Sequence, residues 1–198
     1  MRRMSEKRRK REAEAKPKRL ALIKESGECE NCGHSENDPD YSLPLELSQL
    51  CVHEICCGPD RQKALDKRYA TLVLCWSCNG AFTDRQLHEE AWQLALLASK
   101  RPKDFDLVSY LELTSPRAPF RITLKEVMKF LPSELLTVSE VAELCRVHRT
   151  TVNVWVSNGL RTCDVSRTEG SRRLLRIRYV DLVKFLYRQK RKERNENE

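Results

Sequence analysis

Apolar residues along the chain follow two rhythms. Two short runs, "LCVHEI" over residues 50–55 and "TLVLC" over residues 71–75, are separated by a polar loop and read as strands. After them a helical rhythm begins. In "DRQLHEEAWQLALLASK" Leu87, Ala91, Leu94 and Ala98 recur at helical spacing and predict one buried face. Residues 101–120 contain "RPKDF" and "SPRAP", whose prolines interrupt any long element and mark a domain junction. Two capping boxes then announce helices: Thr123 with Glu126 precedes Val127, Met128 and Leu131, where Pro132 stops the run, and Thr137 with Glu140 precedes "VAELC".

From Thr137 onward the pattern spells out a complete module. Val138, Val141, Leu144 and Cys145 share the inner face of one helix, Arg146 and Val147 make a tight turn, and His148 opens a second helix. There Val152, Trp155 and Val156 face the core, so Arg149, Thr150, Asn153 and Ser157 face out. Asn158-Gly159 is a C-terminal cap signal. "RTCDVS" and "RLLRIR" read as two strands around the turn "RTEGSR", and "VDLVKFLYRQK" as a closing amphipathic helix. Helix, turn, helix, wing and helix in this order resemble the excisionase-like and MerR-like winged helix-turn-helix family, on "LTVSEVAELC", "RTTVNVWVSNG" and "RRLLRIRYVDLVKFL". The resemblance implies that Arg149, Thr150 and Asn153 meet bases or phosphates in the major groove and that Arg172 and Arg173 of the wing grip the backbone. Arg146 departs from the family, which usually has a small residue there.

Charge agrees with a polyanionic partner. The 198 residues carry a formal net charge of +8, concentrated at the ends. Residues 1–20 hold ten Lys or Arg against three Glu, and residues 161–198 hold twelve against six acids. Residues 1–24 read as a basic arm, either a fraying helix cut at Pro17 or a disordered segment that orders on DNA. No apolar run approaches the ~20 residues of a membrane helix, and the basic N-terminus is followed by no apolar stretch, so the chain reads as soluble and cytoplasmic.

Nine cysteines, an odd number with no signal peptide, favour reduced thiolates over disulfides. "CENCG" supplies Cys29 and Cys32, "CWSC" supplies Cys75 and Cys78, and four thiolates from two such turns make a closed, structural zinc site. Cys51 reads as a buried strand residue, Cys56 and Cys57 as reduced loop thiols or alternative ligands, and His34 and His88 as surface or helix-face histidines. Strand, loop, strand and helix clasped by four cysteines resemble the zinc-bound HNH endonuclease family with its ββα-metal fold, on "CENCG", "LCVHEI", "LVLCWSCN" and the following helix, over residues 29 to about 90. The resemblance implies a hydrolytic site with one Mg²⁺ or Mn²⁺. By register His53 falls at the metal position and Glu54 at the general-base position; the alternative register reverses them. Where the family has an asparagine before the third cysteine this chain has Ala70, and where it has a late histidine this chain has Asn79 and then Thr83. Asn79 or Asp84 would supply an oxygen to a hard cation, and Arg61 would meet a substrate phosphate.

The expected architecture is α+β: a basic arm (1–24), a small zinc-clasped ββα, HNH-like domain (25–100), a linker with a short helix (101–133), a small winged helix-turn-helix domain (134–188) and a charged tail (189–198). The expected function is binding of double-stranded DNA with HNH-type phosphodiester hydrolysis, a pairing that resembles phage or mobile-element usage. The competing reading is a non-catalytic DNA-binding regulator or excisionase-like factor whose zinc module is structural; a zinc module that binds RNA or protein is a third.

Overall fold

The computed structural model describes residues 5–35, 49–56, 58–84, 89–114, 122–164 and 175–196, with the backbone alone at 59, 84 and 164. The chain is mixed α and β, with two small sheets and a C-terminal helix-turn-helix.

Helix α1, Glu6–Ser26, is capped by Ser5, whose side chain accepts from the Arg8 amide. It runs straight through Pro17, where a cut or disorder was expected. The proline removes the hydrogen bond to the carbonyl of Ala13, four residues back, but it does so on an exposed stretch of the helix, where solvent can replace that bond. Docking offsets the remaining cost: Ala15 and Leu22 are buried, and Arg19 donates to the Val52 carbonyl at 2.6 Å. Gly27, at φ 69°, ends the helix in the left-handed conformation.

Strands β1, Leu50–Glu54, and β2, Thr71–Cys75, pair antiparallel with His53 opposite Leu72 and Glu54 opposite Thr71. Between them lie a short helix α2, Arg61–Ala64, and two single 3₁₀ turns. Every residue of β2 is buried, which its unbroken apolar run requires. Helix α3, Trp76–Asp84, follows β2 directly. Helix α4, Glu90–Lys100, buries Ala91, Leu94 and Ala98 as their spacing predicts; Leu87 lies outside the described residues. Helix α5, Leu107–Leu113, and helix α6, Leu124–Met128, with the expected Thr123–Glu126 capping box, complete this first core, in which Phe105, Leu107 and Tyr110 are almost wholly enclosed.

The second core belongs to the C-terminal unit. Strand β3, Leu135–Leu136, leads into helix α7, Val138–Leu144, which has the Thr137–Glu140 capping box. Helix α8, Arg149–Ser157, is followed by β4, Cys163–Asp164, β5, Leu175–Arg178, and helix α9, Tyr179–Asn195. The sheet order is β3-β5-β4, antiparallel throughout. Helix α9 continues through most of the expected tail and joins the two cores: Leu182, Phe185 and Leu186 pack in the second, Val183 and Tyr187 against the first. Farther along, Lys190 Nζ donates to the carbonyls of Lys103 (2.7 Å) and Phe105 (2.9 Å), and Arg194 donates to Glu112 and to Ser109.

Candidate functional site

Three constellations emerge from this fold, and the first is the cysteine cluster. Cys29 and Cys32 sit in a turn that Gly33, at φ 76°, closes, with the Gly33 amide donating to the Cys29 carbonyl and the Cys29 amide to the His34 carbonyl. Cys75 ends β2 and Cys78 lies in the first turn of α3. The four sulfurs all lie within 4.8 Å of one another, and Cys32 Sγ to Cys75 Sγ is 3.8 Å. A tetrahedral zinc with bonds of ~2.3 Å requires sulfur–sulfur edges of about 3.8 Å, so the four could hold a metal such as zinc. Burial pushes the Cys29 thiol up to about 11 and that of Cys78 higher still, while hydrogen bonds from the His34 backbone and neighbouring thiols outweigh burial and lower that of Cys32; a bound cation favours the thiolate form.

Glu30, between the first two cysteines, anchors the turn. Its carboxylate accepts from the Val73 amide at 2.8 Å and from Arg101 Nε at 2.5 Å, and both side chains are nearly inaccessible. His34 is only 3% exposed, contrary to the surface position expected for it, because the loop folds back behind the turn. Cys51 is half-buried and its thiol donates to the Leu74 carbonyl. Cys56 is buried, with its thiol pushed up to about 12 by desolvation, where a loop thiol was expected; Cys57 and His88 lie outside the described residues.

The second constellation gathers at the end of β1. Successive strand residues point to opposite faces, so His53 and Glu54 diverge although adjacent in sequence. His53 is 5% exposed; its Nδ1 lies 2.9 Å from Asn79 Oδ1 of α3, its Nε2 lies 3.1 Å from Gln93 Oε1 of α4, and its ring meets Phe82 edge-on at 5.7 Å. Desolvation lowers the His53 pKa below the ordinary imidazole value, with the two amide contacts acting the other way. Glu54 turns toward two arginines, with Arg19 Nη2 at 3.1 Å and Arg61 Nε at 2.8 Å. Arg61 is thus held by Glu54 and stays half-exposed at the rim.

Both His53 and Glu54 line a cleft of about 430 Å³ together with Arg61, Thr83, Glu90 and Gln93. Glu90 accepts from the Tyr110 hydroxyl, and burial, with the nearby Asp60, raises its pKa. The sequence pattern gave no sign of Gln93, Glu90 or Arg19 here: two belong to α4 and one to α1, and none falls in a motif. Ala70 is wholly buried and has no side-chain ligand to offer; its carbonyl accepts from the Ile55 amide and its amide donates to the Lys67 carbonyl. The Asp84 side chain lies outside the described residues. Among the described residues, the four cysteines are the one group of three or more His, Cys or acidic side chains close enough to share an ion.

The third constellation is the exposed face of α8. Val152 is fully buried and Trp155 and Val156 pack against the second core, which leaves Arg149, Thr150, Asn153 and Ser157 exposed, with Val154 beside them. His148 caps the helix, its side chain accepting from the Thr150 amide. At the far end the Leu160 amide bonds the Trp155 carbonyl and the Gly159 amide the Val156 carbonyl, with Gly159 at φ 97°, a Schellman arrangement. Arg146, in the turn before α8, adopts φ 50°, a left-handed conformation that costs a residue with a side chain. Its guanidinium reaches Glu25, pairing with the carboxylate and donating to the carbonyl at 2.8 Å, and these contacts offset the strained backbone. Arg172 and Arg173 lie outside the described residues.

Two short helices joined by a tight turn, the second with a polar exposed face, and a three-stranded sheet form a helix-turn-helix unit. Residues 135–190 match the family model described as a helix-turn-helix domain, which supports DNA binding. The comparisons with curated proteins and with solved structures returned no significant match. Among the described residues no helix is long and apolar enough to cross a membrane.

Proposed function

We propose that the protein recognises duplex DNA through α8 and carries, in its zinc-stapled N-terminal half, an HNH-type site for phosphodiester hydrolysis. The observation that carries the DNA reading is the face of α8 that exposes Arg149, Thr150, Asn153 and Ser157 while Val152 anchors the helix from behind. In this reading Arg149 and Asn153 reach base edges or phosphates, and Arg172 and Arg173 of the wing hold the backbone. Zinc on Cys29, Cys32, Cys75 and Cys78 is structural, since four thiolates leave no open position. About one zinc per chain by metal analysis, lost together with folding of the N-terminal half in Cys29→Ser/Cys75→Ser, tests it; a folded, zinc-free wild type contradicts it.

The hydrolytic reading is supported by the approach of His53 and Asn79, from the end of β1 and the start of α3, and by the open cleft that His53 lines. His53 Nδ1 and Asn79 Oδ1 fit a hard divalent ion as a nitrogen and an oxygen ligand, with Asp84 as a further candidate. Such an ion, when bound, stabilises charge on the leaving oxygen of the phosphodiester. Glu54 is then placed to assist the attacking water and Arg61 to meet a phosphate at the cleft rim. This assignment follows the register with His53 at the metal position, which contact with Asn79 favours. Purified protein with Mg²⁺ or Mn²⁺ is expected to nick plasmid DNA, and His53→Ala/Glu54→Ala to be inactive; equal nicking by that variant refutes it.

A second reading, a non-catalytic DNA-binding factor, draws on a different observation. Glu54 faces two arginines and both His53 nitrogens meet amide oxygens, an arrangement suited to holding α1, β1 and α4 together. Sequence-selective binding with no cleavage under either ion selects this reading.

A further inference from the structure

Helix α4 presents Ala91, Leu94, Ala95, Leu97 and Ala98 to the core, and two polar residues are buried with them: Ser99, whose hydroxyl donates to the Leu96 carbonyl of its own helix, and Gln93, 6% exposed. A carboxamide in such a place is costly unless it is paired. Its Oε1 lies 3.1 Å from His53 Nε2. On the other side of the ring, Asn79 Oδ1 lies 2.9 Å from Nδ1, and Asn79 is only half-buried.

We infer that Gln93 is a positioning residue for His53: by accepting the Nε2 proton it fixes that tautomer and turns the Nδ1 lone pair toward Asn79 as half of a divalent-cation site. This rests on the His53–Asn79 metal reading and deepens it.

A neutral imidazole has one N–H and one lone pair, yet an amide oxygen faces each nitrogen, so one of the two oxygens cannot be satisfied by the ring. Gln93 is the more buried partner, 6% exposed at the wall of the cleft, and an Nδ1–H tautomer would set a lone pair against its oxygen there. The Nε2–H tautomer satisfies Gln93 and moves the conflict to Asn79, where a lone pair and an amide oxygen converge. A cation held by both resolves it there. An Nε2 proton held by Gln93 leaves the Nδ1 lone pair free to ligate, which is how a ligating histidine is oriented by the partner of its other nitrogen.

Long-range ¹H–¹⁵N correlation spectra of the full chain, with the His53 signals identified by their loss in His53→Gln, read the tautomer without reference to activity. The wild type is expected in the Nε2–H form. Gln93→Met is expected to convert His53 to the Nδ1–H form, donating to Asn79, and to weaken Mn²⁺ binding about tenfold or more by titration calorimetry. Gln93→Glu, which keeps an acceptor, is expected to retain the Nε2–H form and to bind Mn²⁺. An Nδ1–H wild type overturns the inference from one spectrum, whatever the variants do, and so does an unchanged tautomer in folded Gln93→Met. Tautomers that respond as expected in a protein that takes up no Mn²⁺ refute the cation site while leaving the hold of Gln93 on the ring intact.

Discussion

Replacing Glu30 by alanine isolates the contact that joins the cysteine turn to the rest of the N-terminal half. The Glu30 carboxylate accepts from the Val73 amide at 2.8 Å and from Arg101 Nε at 2.5 Å, and the Glu30 and Arg101 side chains are 3% and 9% exposed. Truncation strands the wholly buried Val73 amide, a loss of about 1–3 kcal/mol. It also breaks a buried ion pair, which costs about 3–5 kcal/mol. The two costs overlap, and Arg101 keeps Asp104 at 2.8 Å and the Thr71 carbonyl at 2.5 Å, so the lower part of the combined range applies. About 4 kcal/mol is expected, equivalent to a fall in Tm of about 8–16 °C for a chain of this size. Urea unfolding of the zinc-loaded protein measures it as a shift in midpoint at constant slope. Glu30→Gln, which keeps an acceptor for Val73 and loses only the charge, is expected to fall between wild type and Glu30→Ala. A Glu30→Ala protein within about 1 kcal/mol of wild type would refute the anchoring role.

Other expectations concern charge. The exposed residues Lys7, Arg9, Lys10 and Arg11 near the start of α1 are free to meet phosphates, so replacing all four by Gln is expected to weaken duplex binding and flatten its dependence on log salt by up to about 3.6, at ~0.9 per contact; an unchanged slope removes α1 from the interface. Glu25, bonded to Arg68 and close to Arg146, has its carboxyl held below the ordinary value of 4.5. A depressed folded-state pKa gives stability that is present above the unfolded value and lost as pH falls through the folded one. Glu25→Gln is therefore expected to lower stability at neutral pH and to flatten its decline below about pH 4.5, read from urea midpoints across that range; parallel acid profiles for the two proteins would contradict it.

What could be read from the chain was what neighbouring residues decide among themselves. The two capping boxes, the Asn158-Gly159 cap and the inner face of α7 formed as their spacing implied, because each depends on contacts within a few residues. The two Cys-x-x-Cys turns were legible for the same reason, and their convergence followed from one chemistry suiting both. The features that escaped depend on distant partners. Pro17 signalled a break, but docking of α1 against β1 holds the helix together across it. Arg146 tolerates a positive φ beside a partner, Glu25, that lies 121 residues earlier. The partners of Glu54 were equally hidden: strand alternation turns it to Arg19 and Arg61, and Arg19 lies 35 residues earlier on α1. Gln93, 40 residues beyond His53, was indistinguishable from any other helix residue until α4 packed against the sheet.

Recognition of duplex DNA by α8 is open to direct measurement. Selection of duplexes from a random pool, followed by titration of the best sequence with wild type and with Arg149→Ala/Asn153→Ala, measures it. Enrichment of one sequence by the wild type and a loss of at least about tenfold in the variant, at 1–3 kcal/mol per base contact, is the expected result. Equal affinity of the two proteins for that sequence, or no enrichment at all, would contradict it.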